Sequence, residues 1–414
     1  MQKIFVKFWL SCVAVIGMVT LANANIDNTR LEHAVGQMLM VGMTGTVIDE
    51  NAPIVQQIKN HHIGGVVLFP YDETKKTGNI KSPEQLRQLT EQLQYFTWLY
   101  NKSNYPLLIS VNEEGGVING LRKSAGFDIE NNRSTRGLLG LSQQEIGQFK
   151  TIELDGHSYT REDVAYDQAK AIGDMLWSYG VNMNYAPVAA VDLNENSTVI
   201  HKWERSFSQN PQVVSELVEK SLLGYKHADM IAVMKHFPGL GSATQNTDWD
   251  PVVDVTDQWQ EIELDPYRSA IASKNPPSVI MIGHTINKNL DASGLPASLS
   301  EKVITDLLRH KLGFNGVTIT DDMHADAIYY LKIPKYPGSN EMVTVTDKKA
   351  IYYAVMAGED ILLYGGSLNS VDADTAATEA YNNLLALAKE NPAVKEKVLK
   401  ADERITGLKR QIGR

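Results

Sequence analysis

A chain of 414 residues, 43% of them hydrophobic, is long enough for one large domain or two smaller ones. Its formal net charge is −10, and this excess of acidic residues argues against a nucleic-acid groove, which needs clustered positive charge. The only cysteine is Cys12, so a chain that begins after it would contain no disulfide and no cysteine-ligated metal.

The first segment, residues 1–24, has the pattern of a secretory signal peptide. Lys3 and Lys7 precede an apolar run that ends in Ala22-Asn23-Ala24, the small-x-small pattern of a signal-peptidase site. The run is short for a transmembrane helix, which needs about 20 apolar residues. We therefore expect an exported protein, periplasmic or secreted, that begins at Asn25 and has no stable membrane insertion after cleavage. Loss of the two lysines would take the net charge from −10 to −12.

Eight short apolar runs, most of them followed by polar or charged residues, recur along the rest of the chain. Strands that are buried on both faces have continuous apolar runs rather than alternating ones, so we predict parallel strands. The predicted strands are residues 37–42, 64–69, 106–111, 181–185, 231–234, 278–283, 316–320 and 360–364.

Stretches with helical spacing separate these strands. Ala165, Ala169, Ile172 and Leu176 step by four, three and four residues towards Gly180, which is typical of an amphipathic helix with a glycine stop. Eight alternating strand and helix units close naturally into a (β/α)8 barrel, whose catalytic groups lie at the C-terminal ends of the strands. We therefore predict a single α/β domain over residues 25–414, a TIM-type barrel with long loops.

Two regions depart from this alternation. Residues 123–160 are polar and irregular, and we predict that they form a surface insertion between the third and fourth strands. Residues 373–414 are predicted to form terminal helices that are interrupted near Asn391-Pro392.

The first candidate site residues follow the fifth predicted strand. Lys235 and His236 stand just before Pro238-Gly239, where we expect the strand to give way to a turn. Both side chains can bind sugar hydroxyls, so their position suggests the rim of an active site.

The seventh predicted strand ends in Asp321 and Asp322. Successive residues of a strand point to opposite faces, so one of the two carboxylates should face the pocket. In a glycosidase such a group attacks the anomeric carbon or stabilises the oxocarbenium ion, while a second carboxyl group protonates the leaving oxygen. The alternative is that the pair only caps the following helix.

Further polar residues follow the other strands. Glu113 and Glu114 come after the third strand, with two glycines that permit close approach to a ligand, and Arg122 follows shortly after. Arg205 ends a long loop after the fourth strand, and His284 follows the sixth. The two glutamates could equally form a solvated acidic patch, and a single histidine such as His284 is more often structural than catalytic.

Five ordered motifs resemble the N-terminal barrel of glycoside hydrolase family 3, in its β-N-acetylhexosaminidase branch. The resemblance covers residues 31–409, which is nearly the whole chain after the predicted signal peptide. The motifs are Glu114-Gly115-Gly116, Asn184-Tyr185-Ala186-Pro187-Val188, Arg205-Ser206-Phe207, Lys235-His236-Phe237-Pro238-Gly239 and Thr320-Asp321-Asp322-Met323.

This resemblance implies a retaining exo-β-N-acetylglucosaminidase that acts on peptidoglycan fragments or related amino-sugar glycosides. Asp321 is the implied nucleophile, and Asp322 would orient the site or cap a helix. The implied sugar-binding residues are Lys235, His236, Arg205, Asn112, Glu114, Arg122 and His284. The expected partner is an amino-sugar oligosaccharide or muropeptide, and neither a cofactor nor a metal is expected.

The chain departs from the family pattern at several positions. Members commonly carry Asp-Ser-His where this chain has Asn246-Thr247-Asp248, and that histidine donates the proton. We propose Asp248 as the general acid/base in its place, with Asp250 as the fallback, because a carboxylic acid with a raised pKa can protonate a glycosidic oxygen. Leu240, Asn112 and Val117 stand where histidine, aspartate and arginine are usual, so the sugar preference is left open.

Two other classes of function stay open on the sequence. The missing histidine would also suit a catalytically silent sugar-binding protein on the same barrel. A barrel metallohydrolase with His236, His284, Asp321 and His324 as ligands is chemically plausible, although the first strand lacks the His-x-His pair expected of such barrels. For the glycosidase itself, the sequence leaves open whether water or phosphate accepts the sugar.

Overall fold

The structure is a computed structural model, and one closed barrel of eight parallel strands forms its centre. The residues that it describes are 28–72, 74–75, 77–101, 105–127, 138–154, 156–334, 339, 341–366 and 373–412. The predicted signal peptide, residues 1–24, lies outside them.

All eight predicted strands are present in the barrel, each bonded to its neighbours in chain order, with the eighth closing on the first. The single-barrel prediction is therefore confirmed. The strands are β1 (Leu39–Val41), β2 (Gly65–Val67), β3 (Leu108–Val111), β4 (Met183–Asn184), β5 (Ile231–Phe237), β6 (Val279–Ile282), β7 (Val317–Asp322) and β8 (Ile361–Tyr364).

A helix follows each strand and covers the barrel. In α3, the residues predicted to face the core, among them Ala165, Ile172 and Leu176, are buried, and Gly180 just beyond the helix has the positive φ of 77° expected of a glycine stop. The helices that follow the strands are α1 (Pro53–His61), α2 (Pro83–Asn101), α3 (Arg161–Ser178), α4 (Pro211–His227), α5 (Asp265–Ala272), the π-helix α6 (Lys302–Lys311), α7 (Asp347–Ala357) and α8 (Ala373–Glu390), and α9 (Pro392–Lys409) comes after α8.

The predicted interruption near the C-terminus separates α8 from α9. The Asn391 side chain accepts a hydrogen bond from the backbone N–H of Ala393 at 2.9 Å, and Pro392 starts the next helix. This is the N-cap arrangement expected of asparagine followed by proline at the first helical position.

The predicted insertion between β3 and β4 contains regular structure in its described part. The strands Thr151–Leu154 and His157–Thr160 form an antiparallel hairpin, and a short helix, Gln143–Gln148, precedes it. Gln143 joins this segment to the barrel, because its side chain donates to the Val188 carbonyl at 2.8 Å and accepts from the Val188 N–H at 2.9 Å.

The fifth strand is longer than predicted. It continues through Lys235 and His236 to Phe237, because the Lys235 N–H donates to the Pro187 carbonyl at 3.1 Å and the Lys235 carbonyl accepts from the Ala189 N–H at 2.6 Å. The two predicted sugar-binding side chains therefore lie within a buried strand rather than directly after its end. In the described part of the chain, no helix has both the length and the apolar composition needed to cross a membrane.

Candidate active site

Three charged side chains, from strand β5 and from the segments after β3 and β4, meet at the C-terminal mouth of the barrel. The Arg205 guanidinium donates through Nε and Nη2 to the two carboxylate oxygens of Glu114, both at 2.8 Å. The Lys235 ammonium lies 2.6 Å from Glu114 Oε1 and donates to Asn112 Oδ1 at 2.9 Å. Four of the predicted sugar-binding residues thus form one network.

The electrostatics of this network depend on the two cations. Burial by itself would raise the pKa of Glu114, but the positive charges of Arg205 and Lys235 outweigh that effect and hold its pKa at about 2. Glu114 is therefore ionised at neutral pH and fixes both cations in place. The alternative that Glu114 belongs to a solvated acidic patch is wrong, since it is only 5% exposed.

The Arg205 side chain reaches this network from the long loop after β4. The Arg205 N–H bonds the Ile200 carbonyl at 3.1 Å, and Nη1 bonds the Val199 carbonyl at the same distance. The next residue, Ser206, donates from Oγ to the Ala190 carbonyl at 2.7 Å. These bonds fix the position of Arg205 on the loop.

His236 and Asp321 face each other across the mouth. His236 Nε2 lies 3.9 Å from Asp321 Oδ2, and the Asp321 side chain keeps 17% of its surface exposed. Burial, together with the charges of Lys235 and Arg205, lowers the pKa of His236 well below its usual value, so the ring is neutral. Its buried Nδ1 has no hydrogen-bond partner among the described residues.

Asp321 and Asp322 point in different directions, as the strand geometry predicts. Asp322 is 6% exposed, and its Oδ1 accepts the N–H of His324 at 2.9 Å. Burial, followed by the charge of Asp321, raises the pKa of Asp322 to about 7. Asp322 thus caps the turn after β7, while the more exposed Asp321 faces the mouth.

His284 supports this strand end from β6. Its Nε2–H donates to the Asp322 carbonyl at 2.9 Å, and its Nδ1 lies 2.7 Å from the Ser298 hydroxyl. Because a carbonyl oxygen only accepts, Nε2 carries the proton and Nδ1 accepts from Ser298. Both nitrogens are occupied, so His284 lies beside the site, as expected, but positions β7 rather than offering a group to a ligand.

Asp248 comes from the loop after β5 and is held against the segment after β7. The N–H groups of Asp326 and Ala327 bond the carbonyls of Asp248 and Thr247 at 3.2 and 3.1 Å. Burial first, and the negative charge of Asp321 second, raise the pKa of Asp248 to about 7. Asp248 is therefore a carboxyl group that keeps its proton close to neutral pH within the electric field of Asp321.

Asp250, the fallback acid, and Arg122 make their described contacts outside the central network. Asp250 Oδ2 accepts the N–H of Asn246 at 2.9 Å, so this carboxylate closes the loop that carries Asp248. Arg122 is exposed and lies near Asp72, whose pKa is lowered first by backbone N–H groups and also by the Arg122 charge. The described contacts of Arg122 thus do not include the central network.

Two buried glutamates support the site, and no sequence signal marks the first of them, Glu263. Glu263 is fully buried and accepts from the Gly241 N–H at 2.8 Å and from the Ser242 hydroxyl at 2.6 Å, which braces the loop towards Asp248. Glu113 accepts the Leu121 N–H at 2.8 Å, and burial raises its pKa to about 8. The alternative that Glu113 is a solvated acid is therefore wrong.

The side chains considered as metal ligands do not converge into such a site. Within the described ranges, no group of three or more histidine, cysteine, aspartate or glutamate side chains is arranged to hold a metal ion. His284 has both ring nitrogens engaged, and the His324 ring packs edge-on against Tyr364 with 5.1 Å between centroids. The geometry gives no support to the metallohydrolase alternative.

Comparison with known proteins agrees with this geometry. Beta-hexosaminidase A of Pseudoalteromonas piscicida is 31% identical over 276 residues, which cover 64% of this chain and 41% of that protein. The beta-hexosaminidase of Nitrosomonas eutropha is 30% identical over 289 residues, which cover 69% of this chain and 72% of that protein.

Among solved structures, a glycoside hydrolase family 3 beta-N-acetylglucosaminidase from a Paenibacillus species superimposes with a TM-score of 0.73 and 26% identity. The match covers 92% of this chain and 62% of that one. This chain therefore spans less than two thirds of the Pseudoalteromonas and Paenibacillus proteins. The family model for the glycosyl hydrolase family 3 N-terminal domain matches residues 30–408, and the chain belongs to that family.

Proposed function

We propose that this protein is an exo-acting retaining β-N-acetylglucosaminidase with Asp321 as nucleophile and Asp248 as general acid/base. The observation that carries the proposal is the effect of Asp321 and of burial on the Asp248 carboxyl group. Asp248 has its pKa raised to about 7, first by burial and then by the charge of Asp321, and a proton held near neutral pH is what an acid catalyst needs.

In the first step of the proposed mechanism, the sugar is transferred to Asp321. An Asp321 oxygen attacks the anomeric carbon while the bond from that carbon to the leaving oxygen breaks, and Asp248 gives its proton to the leaving oxygen. Glu114, Arg205 and Lys235 form the ionic network beside this point, and the donors of Arg205 and Lys235, held in place by Glu114, would bind the sugar hydroxyls.

The second step releases the sugar. Asp248, now ionised, takes a proton from a water molecule whose oxygen attacks the anomeric carbon, and the ester bond to Asp321 breaks. Two displacements at one carbon return the β configuration. If phosphate attacked instead of water, the product would be the sugar 1-phosphate, so the product itself identifies the acceptor.

The acetamido sugar and the aglycone are proposed from the relatives. A protein named beta-hexosaminidase is similar to this chain in sequence, and one named beta-N-acetylglucosaminidase is similar to it in fold. We take the natural substrates to be peptidoglycan fragments or related amino-sugar glycosides, and the protein to be exported after cleavage behind Ala24. Mass measurement of the N-terminal peptide from the exported protein tests the cleavage site.

The activity test uses para-nitrophenyl N-acetyl-β-glucosaminide and the matching β-glucoside. We expect turnover of the acetamido glycoside, loss of that turnover in Asp321→Ala, and full activity in Asp306→Ala, an exposed acid paired with Lys302 on α6. Proton NMR in deuterated buffer should show the β anomer of N-acetylglucosamine as the first product. An α anomer would overturn retention, and full activity of Asp321→Ala would overturn the nucleophile.

The natural substrate is tested with disaccharides. N-acetylglucosamine linked β-1,4 to N-acetylmuramic acid, its 1,6-anhydro form and chitobiose are compared by kcat/KM. A preference for the muramic compounds supports the peptidoglycan assignment, and a preference for chitobiose overturns it. Binding of N-acetylglucosamine by a folded protein that turns over none of these substrates would favour the silent sugar-binding function.

A further inference from the structure

Exposed apolar side chains are concentrated around the mouth of the barrel. Among the described residues, the exposed large hydrophobic side chains that do not lie on α2 or α3 all lie in the segments between a barrel strand and the helix that follows it. Such segments begin at the catalytic end of the barrel. Single exposed apolar residues are common on proteins, but their grouping around one site indicates an interaction surface.

Trp249 is the largest of these side chains and directly follows Asp248. Its side chain is 56% exposed, although indole is among the costliest groups to leave in water. In the proposed reaction Asp248 gives its proton to the leaving oxygen, so the aglycone lies next to Asp248. Trp249 is one residue further along the same loop.

The backbone around Trp249 is closed by several hydrogen bonds. The N–H groups of Trp249 and Asp250 both bond the Asn246 carbonyl, at 3.2 and 2.9 Å, and the Asn246 N–H bonds Asp250 Oδ2. The adjacent carbonyl of Asp248 bonds the Asp326 N–H. Little conformational freedom is therefore left for this backbone to lose when a ligand binds against the ring.

A second pair of aromatic residues lies on the segment to which this loop is bonded. Tyr329 and Tyr330 are each 49% exposed, and their rings contact edge to face with 4.9 Å between centroids. They follow Asp326 and Ala327, whose N–H groups bond the Asp248 loop. Exposed aromatic side chains therefore lie on two segments beside the proposed acid, and backbone hydrogen bonds join these segments to each other.

We propose that Trp249 forms the subsite for the leaving sugar and stacks its indole face on the pyranose ring of the aglycone. The proposal rests on the proposed glycosidase function and makes Trp249 a specificity-determining residue. A pyranose ring has C–H faces that an aromatic ring can cover while the hydroxyls at its edge stay in water, so a flat, half-exposed ring suits a sugar aglycone. The enzyme would then prefer oligosaccharides over glycosides whose aglycone has no ring.

Two substrates separate this subsite from the chemistry. Chitobiose has a sugar as the leaving group, whereas 2,2,2-trifluoroethyl N-acetyl-β-glucosaminide has a small leaving group without a ring. The variants are Trp249→Ala and Trp249→Phe, with Trp98→Ala as the matched control, because Trp98 is a 66% exposed tryptophan on α2.

In Trp249→Ala we expect kcat/KM for chitobiose to fall roughly tenfold while the trifluoroethyl glycoside changes less than about twofold. Trp249→Phe should keep most of the chitobiose activity, and Trp98→Ala should change neither substrate. If the ratio of the two kcat/KM values is the same in Trp249→Ala as in the wild-type protein, whether or not both values fall, the subsite is overturned. If the wild-type protein turns over neither substrate, the proposed function fails and the subsite fails with it.

Discussion

Glu114 and Arg205 are 91 residues apart in the chain and form a buried ion pair with two parallel hydrogen bonds, each 2.8 Å long. Lys235 adds a third charge at 2.6 Å from the same carboxylate. One acidic side chain thus organises two cations, one from strand β5 and one from the loop after β4. Its adjacent residue, Glu113, is also buried but accepts no side-chain cation in the described contacts and has its pKa raised.

Replacement of these two glutamates by glutamine should have very different effects. Glu114→Gln removes the charge that holds Arg205 and Lys235, so we expect kcat/KM for an N-acetylglucosaminide to fall by roughly a hundredfold or more. Glu113→Gln should keep activity within a few-fold at pH 7, because the Glu113 carboxyl, with a pKa of about 8, is already largely uncharged. Steady-state kinetics on both purified variants measures the difference, and equal losses would contradict the charge argument.

Asp248→Asn should affect substrates according to their leaving groups. A disaccharide needs a proton on its leaving oxygen, so its glycosylation step should slow by about 10²–10⁴-fold. An aryl glycoside with a good leaving group needs no such proton and should form the glycosyl-enzyme at nearly the wild-type rate. Asp250→Asn is the matched control for the fallback acid, and we expect it to keep the disaccharide rate, because asparagine retains an oxygen that can accept the Asn246 N–H.

The two steps of the Asp248→Asn reaction are distinguished by pre-steady-state kinetics. A burst of aryl alcohol followed by slow turnover is expected, because the variant also lacks the base for the second step. If the burst-phase rate falls equally for the disaccharide and for the aryl glycoside, Asp248 is not the acid.

The pH dependence of disaccharide cleavage should report the raised pKa of Asp248. Burial and the charge of Asp321 raise that pKa to about 7, so the protonated acid is present below this pH and is lost as the pH rises through it. We expect kcat/KM for chitobiose to fall about tenfold per pH unit well above pH 7. The residual activity of Asp248→Asn should not show this fall above pH 7. If the fall persists in the variant, it reports the titration of another group.

Asp360 should be important for stability rather than catalysis. Its fully buried carboxylate accepts from Arg404 Nη2 at 2.6 Å, from Arg309 Nη2 at 2.8 Å and from the Thr318 N–H at 3.0 Å, which ties α9 and α6 to the barrel strands. Asp360→Asn leaves two cations without their counter-charge, and we expect the free energy of unfolding to fall by about 3–5 kcal/mol.

Urea unfolding measures the free energy of unfolding of Asp360→Asn, and Asp306→Asn serves as the control. Asp306 is exposed and paired with Lys302, and surface pairs of this kind contribute little to stability. Comparable small changes in both variants would show that the Asp360 network is not a stabilising element.

The sequence by itself determined the parts of this protein that depend on local patterns. The eight barrel strands follow from apolar runs, the α8–α9 boundary from Asn391-Pro392, and the different orientations of Asp321 and Asp322 from strand alternation. Each depends on residues only a few positions apart. The motifs that resemble family 3 also named Glu114, Arg205 and Lys235, although not their mutual contacts.

The tertiary structure alone decided which acids are charged and what each one touches. Glu113 and Glu114 are adjacent and equally acidic in sequence, yet only Glu114 meets two cations, which come from residues more than 90 positions away. The proton on Asp248 depends on burial and on the distant charge of Asp321. Dielectric environment and long-range contacts set these properties, and neither is encoded within a short stretch of chain.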